Sequence, residues 1–258
     1  MRKVLIATPT YNGDVSAAYS FSLGQTLRAN AAGGNAFDFR DYYPRGIVHD
    51  ARNDAVAMAI HNSFDDLLWI DADQDWEPHW PLELLNYPVD CVGAPVRKKV
   101  EKETYNVRCA GGPTTFEIDP DTKLWTCPDM AVGAGFLRLS RRALETLWNA
   151  ADVYVDTSRD LAERRFIYEF SPVGGRMVSE DILACDKLRV SGVETWLAAH
   201  MNPGHIDGSR RWQGDFLAFV RRWMDEQGPQ SPVGGIYSGG LSQILPAVEK
   251  KTRLRVIG

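Results

Sequence analysis

None of the four cysteines, Cys91, Cys109, Cys127 and Cys185, belongs to a CxxC pair. A zinc ribbon is therefore unsupported, and free thiols in a reducing compartment are expected. No segment approaches the ~18 consecutive apolar residues of a membrane span. The start, MRKVLIATPT, imitates a signal peptide, but its apolar run VLIA is too short for an h-region. Positive charge is not in excess: 29 Lys and Arg against 34 Asp and Glu leave a net charge of -5. That argues against broad coating of nucleic acid, which needs a basic face, while leaving room for a local basic patch. Internal repeats and coiled-coil heptads are also missing.

What remains is an ordinary globular composition, 44% hydrophobic and 24% charged over 258 residues. This suffices for one large α/β domain or two small ones. VLIAT reads as a buried first strand stopped by Pro9, Asn12 and Gly13, with a helix expected over 16–31. A short strand near Phe37 and a helix over 50–63 follow, with Val48, Ala51, Ala55 and Ala59 on one face. LLWID is the next buried strand, then a short helix containing Trp80 and Leu84, then a strand over 89–93. Alternating strand and helix implies a largely parallel sheet with ligands at the strands' C-terminal ends. Further on, TTFEI and KLWTC read as a hairpin and VGAGFLRLS as one strand. Ser140 and Ser179 read as caps of two helices, and TWLAA as a last strand. The tail is rich in Gly, Trp and Arg, and 227–240 is expected to be mobile for want of apolar residues to bury.

The segment LLWIDADQDWEP carries the chemistry. A buried strand runs into Asp71, Asp73 and Asp75, and carboxylates so close repel unless a cation neutralises them. An EF-hand fails, because its sixth and twelfth positions are Trp76 and Leu82. A haloacid-dehalogenase-type phosphatase fails too, since the DxD is not on the first strand. A site for a hard divalent cation and a nucleotide diphosphate fits. Asp71 and Asp73, two apart on an extended chain, can face one ion. Asp71 can instead meet the ribose, leaving Asp73 as the direct ligand.

The motifs ATPTYNG, ARNDAV, LLWIDADQDWEP, VGAPVRKK, VGAGFLRLSRRAL, SEDILACDKLRVSG and PGHI, in that order, resemble the GT-A glycosyltransferases, particularly small family-2-like proteins of bacteriophages and bacteria. The likeness covers about 4–206. It implies an α/β fold with a Rossmann-like nucleotide-binding half, a mixed, mostly parallel sheet and an acceptor-binding half, over 1–208, with an extension carrying a lid over 209–258. It also implies transfer of a sugar from a nucleotide-diphospho-sugar, UDP-sugar favoured, with Mn2+ or Mg2+. The expected location is the cytoplasm, of the host if phage-encoded.

Donor contacts are expected from Thr8, Pro9, Thr10, Tyr11, Arg52, Asn53, Asp71, Ala72, Gly133 and Gly135. Asp71, Asp73 and His205 are the expected metal ligands, and Asp181, with Glu180 beside it, the catalytic base. Each has a plain structural reading as well: a strand-to-helix turn for Thr8 to Tyr11, a surface arginine for Arg52, a bulge for the glycines, helix capping for Glu180 and Asp181. Arg97, Lys98, Lys99 and Arg108, with Arg210, Arg211, Arg221 and Arg222, could meet phosphates, and Trp212 and Trp223 could stack on a base. The acceptor is not identified by the sequence; a hydroxymethylated DNA base and a saccharide are the two candidates. The competing functions are a nucleotidyltransferase, for which ATPTYNG lacks the glycine-rich basic loop, and an inactive nucleotide-sugar-binding module.

Overall fold

The apolar run near the start becomes β1 (Lys3–Pro9), in which Val4, Leu5, Ile6 and Ala7 are wholly buried. Burial on both faces marks a central strand covered by helices on each side. The computed structural model describes residues 1–31, 33–42, 48–155, 163–173 and 175–227. Ser16 caps α1 (Ala17–Asn30), its hydroxyl accepting the Tyr19 N–H at 3.0 Å and satisfying a donor the helix leaves unpaired. Then come β2 (Ala36–Tyr42), α2 (Val48–His61) and β3 (Asp66–Ile70), the last buried along its whole length. The short β4 (Gln74–Asp75), α3 (Trp80–Asn86) and β5 (Cys91–Gly93) complete this half.

The next stretch holds β6 (Val107–Arg108), β7 (Glu117–Ile118), β8 (Trp125–Thr126), β9 (Ala131–Val132) and β10 (Phe136–Ser140). The expected hairpin is present as β7 paired with β8. The single strand expected from VGAGFLRLS is two strands instead. β9 pairs with β6 and β10 with β3 and β5, with the chain breaking between them at 133–135. Ser140 starts α4 (Arg141–Ala150), its Oγ accepting the Ala143 N–H at 3.2 Å. Two small antiparallel pairs follow, β11 (Val153–Val155) with β12 (Glu163–Arg165), and β13 (Ser171–Val173) with β14 (Arg176–Val178). The chain then forms α5 (Glu180–Val190), β15 (Thr195–Leu197), β16 (Gly204–Asp207), β17 (Arg210–Trp212) and α6 (Phe216–Gln227).

The main sheet has eight strands in the order β2-β1-β3-β10-β5-β15-β8-β7. β1 runs parallel to β2 and β3, and β5 parallel to β15, while β10 lies antiparallel between β3 and β5. Six of the eight strands therefore point one way, and the architecture is the mixed, mostly parallel α/β fold that the sequence implies. The period of two along each strand divides the core. Leu5, Ala7, Leu67 and Trp69 face one apolar cluster with residues of α2, α4, α5 and α6. Val4, Ile6, Leu68 and Ile70 face the other, with Tyr19 of α1 and Leu84 and Leu85 of α3.

The 208/209 boundary falls in the turn between β16 and β17, and α6 contributes Phe216 and Val220 to the first cluster. Neither the β16–β17 hairpin nor α6 was anticipated from the Gly-, Trp- and Arg-rich composition. Of the expected mobile stretch 227–240, only Gln227 lies within the described residues, as the end of α6. No helix among the described residues is long and apolar enough to cross a membrane.

Candidate functional site

Parallel strands present their C-terminal ends along one edge, and here β1 and β3 bring Thr8–Tyr11 and Asp71–Asp73 together. Thr8 Oγ1 lies 2.5 Å from the Tyr19 hydroxyl, so Thr8 is anchored in the core. Thr10 is buried with its hydroxyl unpartnered, and Tyr11 stands 88% exposed beyond it. The Ala72 carbonyl accepts the Ser16 N–H at 2.9 Å, tying the DxD turn to the start of α1.

β16 pairs antiparallel with β4, setting Gly204 opposite Asp75 and His205 opposite Gln74. This register brings His205 Nε2 to 3.4 Å from Asp73 Oδ2. The other ring nitrogen, Nδ1, lies 3.0 Å from the Arg97 carbonyl oxygen, which can only accept. Nδ1 therefore donates to that carbonyl, and Nε2 is the nitrogen turned toward the Asp73 carboxylate. Lys99 joins them, its Nζ 2.5 Å from the same Asp73 oxygen. Burial pushes the Asp73 carboxyl upward, but hydrogen bonds and charge from His205 and Lys99 outweigh it and hold it below the ordinary range.

Asp71 points elsewhere. Its Oδ1 lies 3.3 Å from Arg52 Nη2, and its N–H donates to the Gly135 carbonyl at 2.9 Å. Burial raises its carboxyl above the usual value, with the charges of Asp73 and Asp181 adding to the rise against Arg52 and His205. Two carboxylates of one DxD motif thus have their acidities pushed in opposite directions. Such divergence is typical of sites that assign different roles to like groups.

Arg52 is buried on α2 rather than lying on the surface, its guanidinium shared among Asp71, the Ala134 carbonyl at 3.2 Å and Glu180 Oε1 at 3.4 Å. Trp69 and Tyr168 pack around the cation. Neighbouring Asn53 directs both ends of its amide at the Tyr168 backbone, at 2.8 and 3.0 Å.

At the start of α5, Ser179 occupies the N-cap position but its hydroxyl donates to Asp181 Oδ1 at 2.5 Å instead of capping the helix. The same oxygen accepts the Ile182 N–H at 2.8 Å. Glu180 is buried against Arg52, and burial followed by the charge of Asp181 raises its carboxyl. Asp181 is only half-buried, and its Oδ2 faces Gly133. A Cβ on Gly133 would lie 3.0 Å from that oxygen, and one on Gly135 2.9 Å from Asp71 Oδ2. The groups that approach these glycines closely are therefore the two carboxylates, with Asn106 and Gln74 beside them.

The basic residues and tryptophans depart from the expectation of a nucleic-acid surface. Arg108 is 2% exposed and forms a two-pronged pair with Asp186. Arg210 pairs with Glu101, Arg211 with Asp75 and Arg222 with Glu103. Arg97 donates to the Gln213 and Glu101 carbonyls. Trp212 and Trp223 are 6% and 5% exposed, and the Arg210 guanidinium sits 3.4 Å from the Trp212 ring centre. These arginines thus have partners within the protein, and the tryptophans are not free platforms.

No family model and no curated protein matches the sequence. Among solved structures, one similar chain is a glycosyltransferase involved in glycosylation of the major capsid of PBCV-1. The identity is 13% and the TM-score 0.33, over 57% of this chain and 65% of that one, so the likeness spans less than two thirds of that protein. Another is described as a glucose-1-phosphate thymidylyltransferase from Bacillus anthracis, crystallised with sucrose. It is 11% identical with a TM-score of 0.36, over 87% of this chain and 95% of that one. The fold assignment rests on the strand order and directions given above.

Proposed function

We propose that this protein is a glycosyltransferase that takes a sugar from a nucleotide-diphospho-sugar, with UDP-sugars favoured, and passes it to an acceptor hydroxyl. The observation that carries the reading is the Asp73–His205 pair. An acidic strand end and a histidine from a distant strand meet with the imidazole tautomer fixed by a backbone carbonyl, as the outer partners of metal-binding histidines do. Asp73 Oδ2 and His205 Nε2 would hold Mn2+ or Mg2+, leaving the remaining positions to diphosphate and water. The cation supplies charge stabilisation for the departing diphosphate. Lys99, displaced from Asp73, would remain close enough to meet the same phosphates.

Arg52 fixes Asp71 and Glu180, so the floor of the cleft is rigid before substrate arrives. Asp181, with one oxygen held by Ser179 and Ile182 and the other facing Gly133, is positioned to take the proton of the acceptor hydroxyl. Glu180, turned inward to Arg52, acts as a positioning residue. Tyr11, exposed at the end of β1, is available to stack on the donor base. A saccharide suits the acceptor role better than DNA, because Arg97, Arg108, Arg210, Arg211 and Arg222 have partners within the protein and the tryptophans are covered.

The test is a thermal-shift screen of UDP-, GDP- and dTDP-sugars with and without Mn2+, repeated on Asp73→Asn and His205→Ala. A ligand that binds only the native state raises stability with its concentration. The expected result is a Mn2+-dependent shift with one nucleotide-sugar, lost in both variants. Equal shifts in the Asp73→Asn variant would overturn the reading. Release of pyrophosphate from a nucleoside triphosphate, with no nucleoside diphosphate formed from a nucleotide-sugar, would identify a nucleotidyltransferase instead.

A further inference from the structure

Well separated in sequence from the DxD turn, Cys109, Cys127 and Asp129 come together. Cys109 follows β6, Cys127 follows β8 and Asp129 lies in the turn before β9. One ligand atom from each lies within 4.8 Å of the other two. Both sulfurs are buried, their residues 2% and 6% exposed. We propose that these three residues form a metal site for a thiophilic divalent cation, of which zinc is the best match.

The geometry is close to what such an ion needs. With Zn–S near 2.3 Å and Zn–O near 2.1 Å, the sulfur-to-oxygen edge of a tetrahedron is about 3.6 Å. Cys127 Sγ and Asp129 Oδ1 stand 3.6 Å apart. The carboxylate is already aimed, because the Ala110 N–H lies 3.1 Å from each of its oxygens and Arg108 Nε lies 3.7 Å from Oδ2. Outer partners of this kind orient metal ligands in established sites.

The loop after Cys109 is also shaped around its sulfur. Gly112 takes φ +78°, and a Cβ on Gly111 would lie 2.4 Å from Thr115 Cγ2. This tight fold sets Thr115 Oγ1, which donates to the Gly112 carbonyl at 2.8 Å, 3.1 Å from Cys109 Sγ. Cys127, alone of the three, also borders a cavity of about 350 Å³, with Thr126, Pro128 and Met130. Two sulfurs and one carboxylate select a softer cation than the Asp73–His205 pair would. Bound there, the ion would clip together β6 and the β7–β8 hairpin, whose strands are two residues each and have little pairing of their own.

The experiment is a Co2+ titration of the full chain, stripped of metal and kept reduced with a phosphine. The expected result is a near-ultraviolet thiolate-to-cobalt charge-transfer band with tetrahedral visible bands, saturating at one equivalent and removed by Zn2+. Cys127→Ser should abolish the band and Asp129→Asn should weaken Zn2+ binding at least about tenfold. Asp73→Asn should leave the band unchanged, which separates this site from the proposed donor site. Absence of the band in the reduced wild type, its persistence in Cys127→Ser, or recovery of the two cysteines as a disulfide under the reductant would overturn the proposal. If Cys127→Ser fails to fold, the wild-type band and the Asp129→Asn affinity decide.

Discussion

Arg52 and Asp71 lie 3.3 Å apart at the C-terminal end of β3, with the arginine 4% exposed. The same guanidinium also faces Glu180, so removing it strands one buried carboxylate and one partly exposed one. Breaking a buried ion pair by deleting one partner costs about 3–5 kcal/mol. Arg52→Ala is therefore expected to lower unfolding stability by that amount in urea titrations. Arg52→Lys should recover only part of it, because a point charge cannot serve three acceptors arranged around a planar fork. A loss below about 1 kcal/mol, within the range of an exposed pair, would contradict this account.

Lys99 and a divalent cation compete for the same Asp73 oxygen in the proposed site. Both side chains of the pair are partly exposed, at 28% and 40%, so the contact is screened. An ion pair of that kind contributes about 0.5–1 kcal/mol. Lys99→Ala should accordingly tighten Mn2+ binding about two- to fivefold without donor, measured by calorimetry. It should weaken binding of the nucleotide-sugar in the presence of Mn2+. Unchanged metal affinity would show that the two cations do not share the oxygen.

Two glycines give opposite expectations. Gly135→Ala places a Cβ 2.5 Å from Gln74 Nε2 and 2.9 Å from Asp71 Oδ2, so both side chains must move. A destabilisation of about 1–3 kcal/mol is expected, together with weaker donor binding. Gly24, inside α1, has nothing within 4 Å of its would-be Cβ. Gly24→Ala should stabilise the protein by about 0.8–1 kcal/mol with catalysis unaltered. Denaturant midpoints of the two variants, moving in the same direction, would contradict the geometry.

Glu180 makes a prediction about pH. Burial and the charge of Asp181 make its carboxyl harder to ionise in the folded protein than in the unfolded chain. The native state then holds that proton more tightly. Stability should fall as pH climbs from the ordinary glutamate value near ~4.3 through the raised one. Glu180→Gln should flatten this part of the melting temperature against pH. An unchanged slope would mean that other groups set it.

The parts of the fold read correctly from sequence are those with local causes. β1 and β3 are unbroken apolar runs, Ser16 and Ser140 cap the helices they precede, and 119–124 closes a hairpin. α6 was within reach, since Phe216, Val220 and Trp223 recur at helical spacing, although Arg221, Arg222 and Trp223 also fit a ligand-contacting surface. The break at 133–135 has a cause that no local pattern contains, the arrival of Asp71 and Asp181 from other elements. Likewise Asn53 meets Tyr168 across 115 residues, and Lys99 meets Asp73 across 26. Asn106, beside Gly133, lies in no motif, and Gln74, beside Gly135, lies within LLWIDADQDWEP but between the aspartates that explain it. Side chains brought together only by the sheet leave no spacing to recognise.

The pairing of β16 with β4 carries a consequence for synthesis on the ribosome. Asp73 leaves the exit tunnel while the strand bearing His205 is still unmade, because just over half the chain lies between them. The nascent polypeptide can build β1, β2 and β3 early, yet the edge of β4 stays unpaired until translation reaches its partner. Long-range pairing of this kind is slow to form. The β4 edge therefore pairs late, and a ribosome stalled before residue 204 carries the β1–β3 sheet with an open, acidic rim.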